Sequence, residues 1–143
     1  MNDKKLTNEA MNIKSHRLSK QEIEDNFTDL HPPLSAIEAL IEADRCYFCY
    51  DAPCTKACPS DIDVPGFIQS IQSDNLTGAA DKILSENIFG GMCARDCPTE
   101  ELCQQACVRN DHEKKPVEIG LLQRYATDSV LNNGVQLFSR EED

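Results

Sequence analysis

Cysteine is the residue type whose number and spacing in this sequence point to chemistry. The chain has 143 residues, and its eight cysteines all lie in two short blocks. The first block reads C-x2-C-x4-C-x3-C-P and the second reads C-x3-C-P followed by two further cysteines. The members are Cys46, Cys49, Cys54, Cys58, Cys93, Cys97, Cys103 and Cys107. Because closely spaced thiolates bind soft metal centres, the spacing predicts metal binding.

The rest of the sequence favours reduced thiols over disulfide bonds. The first fifteen residues lack the apolar run of an export signal. No stretch approaches the ~18 apolar residues that span a membrane. We therefore expect a soluble, cytoplasmic protein that makes no membrane contact. Cytoplasmic thiols stay reduced, so a chain this rich in cysteine is expected to hold metal.

The charge of the chain excludes some classes of partner. There are 25 acidic and 14 basic side chains, giving a net charge of −11. A nucleic-acid binder needs clustered basic residues, so we expect no nucleic-acid partner. The three histidines are scattered, and no Ser-His-Asp or Cys-His pattern is present. The sequence therefore predicts no active site of its own.

The spacing of the first block favours an iron–sulfur cluster. Bacterial ferredoxins carry a similar C-x2-C-x2-C-x3-C-P run, whose last cysteine binds the other of two clusters. Tyr47, Phe48, Ile62 and Val64 are apolar neighbours that we expect to screen a cluster from water. The alternative is a non-redox interaction or assembly module stabilised by zinc, but zinc ribbons favour paired C-x2-C units and only Cys46 and Cys49 form one. Buried inert cysteines occur singly and do not explain two tight blocks.

The elements around the cysteines are predicted to be helical, in a small all-α domain with two cysteine-rich ligand loops. We expect a flexible polar arm at 1–30, a two-cluster iron–sulfur domain at 31–132, and a charged tail or linker at 133–143. The first helix should follow Ser35 with this buried stripe: Ala36, Leu40 and Ile41. A second helix should open at Pro65 and bury Phe67, Ile68 and Ile71, and a third should begin near Asn75. Residues 46–63 are expected to be an irregular loop.

The second block has its own predicted surroundings. Gly90 and Gly91 are expected to break the chain, which leaves Cys93 in a flexible stretch. Residues 99–108 are predicted to form a helix, so Cys103 and Cys107, four residues apart, would share one helix face. A last helix at 117–131 should bury Ile119, Leu122, Ala126 and Val130.

The joint motif resembles a known iron–sulfur domain. The first block, a spacer of 33 residues, C-x3-C-P-T-E-x-L-C-x3-C and then I-G-x-L-Q-R-Y follow in order. This order resembles the N-terminal iron–sulfur domain of NAD-dependent dihydropyrimidine dehydrogenase, which also opens the small subunit of bacterial glutamate synthase. The phrases DAPCTKACP and IGLLQRYATD look closest to the bacterial dihydropyrimidine dehydrogenase subunit.

The resemblance implies a particular set of ligands for two [4Fe-4S] clusters. It implies that the first cluster is bound by Cys46, Cys49, Cys54 and Cys107. It implies that the second is bound by Cys58, Cys97, Cys103 and, unusually, Gln123. Cys93 would then lie near the second cluster without binding iron, although counting cysteines alone would make Cys93 the ligand.

The resemblance also implies partners. In these families a domain that binds FAD and NAD(P)H follows, and it opens with a glycine-rich G-x-G-x-x-G fingerprint. This fingerprint does not occur here. We therefore expect FAD and NAD(P)H only on a flavin-containing partner chain or further domain. The chain would relay single electrons between that flavin and a catalytic flavoprotein subunit.

Overall fold

The helical class that the sequence predicts is confirmed. The computed structural model of this chain describes residues 17–29 and 31–139, and all regular secondary structure in these two stretches is helical. The chain divides into two compact units, Met1–Pro32 and Pro33–Asp143. Most of the arm expected at 1–30 lies outside the described residues. The helices are α1 (Lys20–Asn26), α2 (Ala36–Asp44), α3 (Pro53–Lys56), α4 (Val64–Gln72), α5 (Leu76–Glu86), α6 (Gly90–Asp96), α7 (Arg109–Glu113) and α8 (Ile119–Leu131).

The core of the second unit lies where α4, α5 and α8 meet. On α4 the residues Phe67, Ile68 and Ile71 are buried, and Ile83 of α5 and Leu122 of α8 complete the centre. Phe67, Ile68, Ile71 and Leu122 are among the residues that the helical periodicity predicts to be buried. Helix α8 packs against α2, α4, α5 and α6. It therefore contacts each of the other long helices of this unit, although α2 packs mainly on α4, and α4 mainly on α5.

Helix α2 begins where the sequence predicts, but it buries a different face. Ser35 and Glu38 form a capping box at its start, as their types predict. The predicted stripe of Ala36, Leu40 and Ile41 is wrong, because all three are exposed. The small residues Ala39 and Ala43 are buried instead. Alanine lets α2 approach α4 and α8 closely, and the larger side chains remain outside.

The surroundings of the second cysteine block differ from the prediction. Gly90 and Gly91 do not break the chain, because they begin helix α6, which carries Cys93. A Cβ atom at Gly90 would lie 2.4 Å from Cγ2 of Ile83, so glycine serves close helix packing here and not a turn. Residues 99–108 form successive turns and not the predicted helix.

In the first block, Pro53–Lys56 forms the one-turn helix α3 within the expected loop. Within the described stretches no helix is long and apolar enough to cross a membrane.

Candidate metal centre

Four cysteines from both blocks line one cavity. The cavity is walled by apolar side chains of the α4 start, the 106–108 turn and the α8 start, including Val64, Ile68 and Ile119. The cysteines are Cys46, Cys49, Cys54 and Cys107, which we call the first thiol group. They are also electrostatic neighbours, because a charge on Cys49 or Cys107 opposes ionisation of Cys46. Thus the turn that follows Cys103 brings Cys107 to the first block across more than 50 residues of chain.

The other four cysteines form a second set of neighbours. Charges on Cys93 and Cys58 oppose ionisation of Cys97, and charges on Cys97 and Cys58 oppose ionisation of Cys103. We call Cys58, Cys93, Cys97 and Cys103 the second thiol group. Cys103 also interacts with Cys54 of the first group. The two groups therefore lie side by side, and each takes cysteines from both blocks.

Turns in the first block aim backbone donors at the sulfur atoms. Phe48 and Ala52 adopt the left-handed region, with φ of 51° and 38°, although neither is glycine. This bend lets the Phe48 N–H donate to Sγ of Cys46 at 3.4 Å. Backbone N–H groups of Thr55 and Gln104 similarly favour the thiolates of Cys54 and Cys103. Hydrogen bonds to sulfur are one way in which a protein stabilises an iron–sulfur cluster and sets its potential.

Burial opposes ionisation of the same thiols. It raises the pKa of Cys54 to about 11 and that of Cys103 to about 12. Thiolates are the metal-binding form, and nearby cationic metal reverses the local electrostatics and deprotonates a coordinating thiol. Buried, mutually repelling thiols with N–H donors therefore fit a bound metal cluster. Among the described residues, no three Cys, His, Asp or Glu side chains are arranged to hold one metal ion between them.

The candidates for the fourth ligand of the second group lie on packed helices. Cys93 is on α6, where its Sγ accepts a hydrogen bond from Nδ2 of Asn87 at 3.2 Å. Gln123 is buried on α8, and its Nε2 donates to the Gly90 carbonyl at 2.7 Å. This hydrogen bond leaves Oε1 as the amide atom suited to binding a metal. Which of the two side chains binds remains a prediction.

The screening residues expected around the first block are divided between the cavity and the core. Tyr47 and Val64 line the cavity. Ile62 is buried in the core, and Phe48 packs against that core. Sequence reasoning missed Arg109, which lines the cavity and stacks on Tyr47. Its position two residues after Cys107 was the only available indication.

Comparison with known proteins identifies the family of this chain. Residues 23–135 match the family model described as dihydropyrimidine dehydrogenase domain II, 4Fe-4S cluster. The chain belongs to this family. It is therefore an iron–sulfur domain of the kind found in oxidoreductases, with a role in electron transfer.

The similar curated proteins are longer than this chain. The NAD-dependent dihydropyrimidine dehydrogenase subunit PreT of Escherichia coli K12 is 43% identical over 116 residues. The subunit of the same name in Salmonella typhimurium LT2 is also 43% identical over 116 residues. Each alignment covers 80% of this chain but 28% of the relative. The chain thus spans little more than a quarter of the length of these relatives.

Proposed function

We propose that the chain holds two [4Fe-4S] clusters, one at each thiol group. Cys46, Cys49, Cys54 and Cys107 would bind the first. Cys58, Cys97, Cys103 and Gln123 would bind the second, with Cys93 beside it as the alternative ligand. The observation that carries this proposal is the division of eight cysteines into two adjacent groups of four, each drawn from both blocks.

Each part of the first site has a defined task in this proposal. The four thiolates hold iron, and the apolar walls from α4 and α8 keep water away from it. The N–H groups that face sulfur offset the negative charge of the thiolates. When bound, a cluster of this type supplies reversible one-electron transfer. The neighbouring positions of Cys54 and Cys103 would bring the two clusters close together, which a relay of electrons requires.

The wider function follows from the relatives. PreT is named as a subunit of an NAD-dependent dehydrogenase. We propose that this chain relays single electrons between a flavin on an NAD(P)H-oxidising chain or domain and a second flavin on a catalytic subunit. FAD and NAD(P)H would bind only to those partners. The chain itself would carry no substrate site.

Metal analysis of protein made without oxygen tests the proposal. We expect about eight iron and about eight acid-labile sulfide per chain, with broad visible absorption that dithionite bleaches. NADH alone should leave the spectrum unchanged, and NADH with catalytic amounts of a PreT-type flavoprotein lacking its own iron–sulfur domain should bleach it. About two zinc per chain without sulfide would instead show a zinc-stabilised module. About four iron and four sulfide would reduce the proposal to one cluster.

A further inference from the structure

One charged side chain joins the two cysteine blocks at the first thiol group. Arg109, the first residue of α7, lies 64 positions from Arg45, yet its Nε donates to the Arg45 carbonyl at 2.5 Å. That carbonyl belongs to the residue immediately before Cys46. On the other side of Cys46, the Arg109 guanidinium lies 3.8 Å from the ring centroid of Tyr47. Arg109 therefore contacts the residues on both sides of Cys46. In the sequence, Arg109 follows Cys107 by two positions.

Among the described residues that line the cavity, Arg109 is also the one that carries a positive charge. Arg109 lines the same cavity as the four thiols, and its side chain is only 15% exposed. Low exposure limits screening by water and salt, so the charge acts strongly at short range.

A carboxylate balances part of this charge from outside the cavity. Glu113 accepts from Nη1 of Arg109 and, at 3.0 Å, from Nη2 of Arg45. The hydrogen bond from Arg45 and the contact with Arg109 hold the pKa of Glu113 below its usual range. Glu113 is 40% exposed and is absent from the cavity wall. Removing Arg109 or Glu113 should thus change the field at the thiols in opposite directions.

We propose that Arg109 is a positioning residue of the first thiol group, which fixes Cys46 relative to Cys107 and whose charge favours the reduced state of the cluster held there. This inference rests on the proposed function. An arginine suits both tasks, because its planar fork can donate to a carbonyl and a carboxylate while its face stacks on an aromatic ring. Lysine keeps the charge but cannot reproduce this combination of contacts.

Reduction potentials of four variants test the inference in the iron-loaded protein. The variants are Arg109→Gln, Arg109→Lys, Glu113→Gln and, as a charge-loss control, Lys82→Gln at an exposed position of α5. Redox titration followed by electron paramagnetic resonance reports each cluster, while iron content and thermal unfolding report retention and folding. Wild-type iron and sulfide decide the proposed function first, so its failure is separate from failure of this inference.

Opposite shifts are expected from the two charges. At a fixed potential, Arg109→Gln should lower the ratio of reduced to oxidised first cluster by about tenfold, a downward shift of about 59 mV for one electron. Glu113→Gln should raise that ratio, and Lys82→Gln should leave it unchanged. Arg109→Lys should keep the ratio near wild type but lose iron more readily on heating. The ratio of reduced to oxidised second cluster should change least.

Two outcomes would overturn the inference. One is an Arg109→Gln protein that retains all its iron on heating and shows the wild-type ratio for the first cluster. The other is an equal downward shift in Arg109→Gln, Glu113→Gln and Lys82→Gln, since that would reflect general loss of structure. If Arg109→Gln loads only the second cluster, the positioning role is supported, and the sign of the Glu113→Gln shift then decides the role of charge.

Discussion

Cys93 and Gln123 are the two candidates for the fourth ligand in the proposed second site, beside Cys58, Cys97 and Cys103. Their surroundings differ. The sulfur of Cys93 already accepts a hydrogen bond from Asn87, whereas the amide nitrogen of Gln123 is fixed by the Gly90 carbonyl. An amide oxygen in place of a thiolate would remove one negative charge from around the iron and would shift the potential of the second cluster.

Substitution of these two residues distinguishes the ligand sets. We expect Cys93→Ser to keep about eight iron per chain, with an unchanged paramagnetic resonance spectrum of the reduced protein. Gln123→Leu should lose or degrade one cluster. Gln123→Cys should keep both clusters and lower the potential of one, because a thiolate restores the negative charge. Iron and sulfide analysis with redox titration measures all three effects.

A second buried glutamine provides the control. Gln104 is also buried and donates to Glu118 at 3.2 Å. Gln104→Leu should therefore lose a comparable hydrogen bond and some stability, yet retain both clusters. If Cys93→Ser loses about half of the iron while Gln123→Leu loses none, the eight cysteines are the complete ligand set.

At the scale of elements, α2 positions the first cysteine. The helix ends at Asp44, and Arg45 then donates to the Pro116 carbonyl at 2.9 Å and to the Lys115 carbonyl at 2.8 Å. Cys46 follows directly. The start of α2 depends on Ser35, whose hydroxyl accepts from the Glu38 N–H and whose own N–H donates to the Glu38 carboxylate at 2.8 Å.

Removing this cap should destabilise the helix that leads into the site. We expect Ser35→Ala to lower the free energy of unfolding by about 1 kcal/mol. For a domain of this size, that loss lowers the melting temperature by roughly 4 °C. Scanning calorimetry at one fixed scan rate measures the change. Ser73→Ala is the matched control. Ser73 directly follows the last residue of α4, where its hydroxyl donates to the Gln69 carbonyl, and it does not cap the start of a helix. An equal loss in both variants would contradict the assignment of the cap.

Helices with a regular apolar pattern could be predicted from sequence, and the segments beside the cysteines could not. The periodicity of Phe67, Ile68 and Ile71 was sufficient for α4. In contrast, Cys103 and Cys107 are four residues apart in a sequence that suits a helix, yet they belong to different thiol groups. A helix would place them on one face, so the chain must turn between them. Local helix propensity carries no information on which distant cysteines each of these two residues must approach.

The same limit applies to small residues and to the site itself. Gly90 reads locally as a break, but its lack of a Cβ lets α6 approach Ile83. Residue spacing predicted that the cysteines bind metal, whereas their division between two sites was predicted from a family resemblance. Arg109 lies two residues after Cys107, but this position alone did not predict its contacts with Arg45 and Tyr47 across the fold.

At the scale of the whole molecule, metal binding and folding are expected to be coupled. The thiol groups join residues 46–58 to residues 93–107, and burial keeps the pKa of Cys54 and Cys103 high. Without metal, these thiols stay protonated and the apolar cavity that the first group lines loses the cluster that would fill it. Metal-binding free energy is then also folding free energy.

Removal of the clusters should therefore loosen the protein. We expect chelation or air oxidation to lower the helical circular dichroism signal and to give a broader melting transition at lower temperature. The helices α4, α5 and α8 share an apolar core, so some helix content should remain. A cluster-free sample with the spectrum and melting profile of the loaded protein would contradict this coupling.

Charge is the property of the whole molecule that bears on its partner. From His31 onward the chain has 19 acidic and 9 basic side chains, a balance of −10. Complementary charge steers encounter and raises association rates, and salt screens the effect. If the flavoprotein binds as a separate chain, it should present basic residues to the acidic residues of this chain.

The salt dependence of the association rate tests this electrostatic steering, and paired substitutions locate the acidic residues responsible. The association rate of the iron-loaded chain with its flavoprotein should fall as ionic strength rises from about 0.05 M to about 0.5 M, because the Debye length shortens over that range.

Glu100 and Glu101 are exposed, and Glu100 interacts electrostatically with Cys97. Replacing both with Gln should slow association more than the double control of Asp81→Gln with Glu86→Gln on α5, since electrons must leave near a cluster. Equal slowing would mean that only net charge matters, and a rate independent of salt would show that the acidic surface does not steer the encounter.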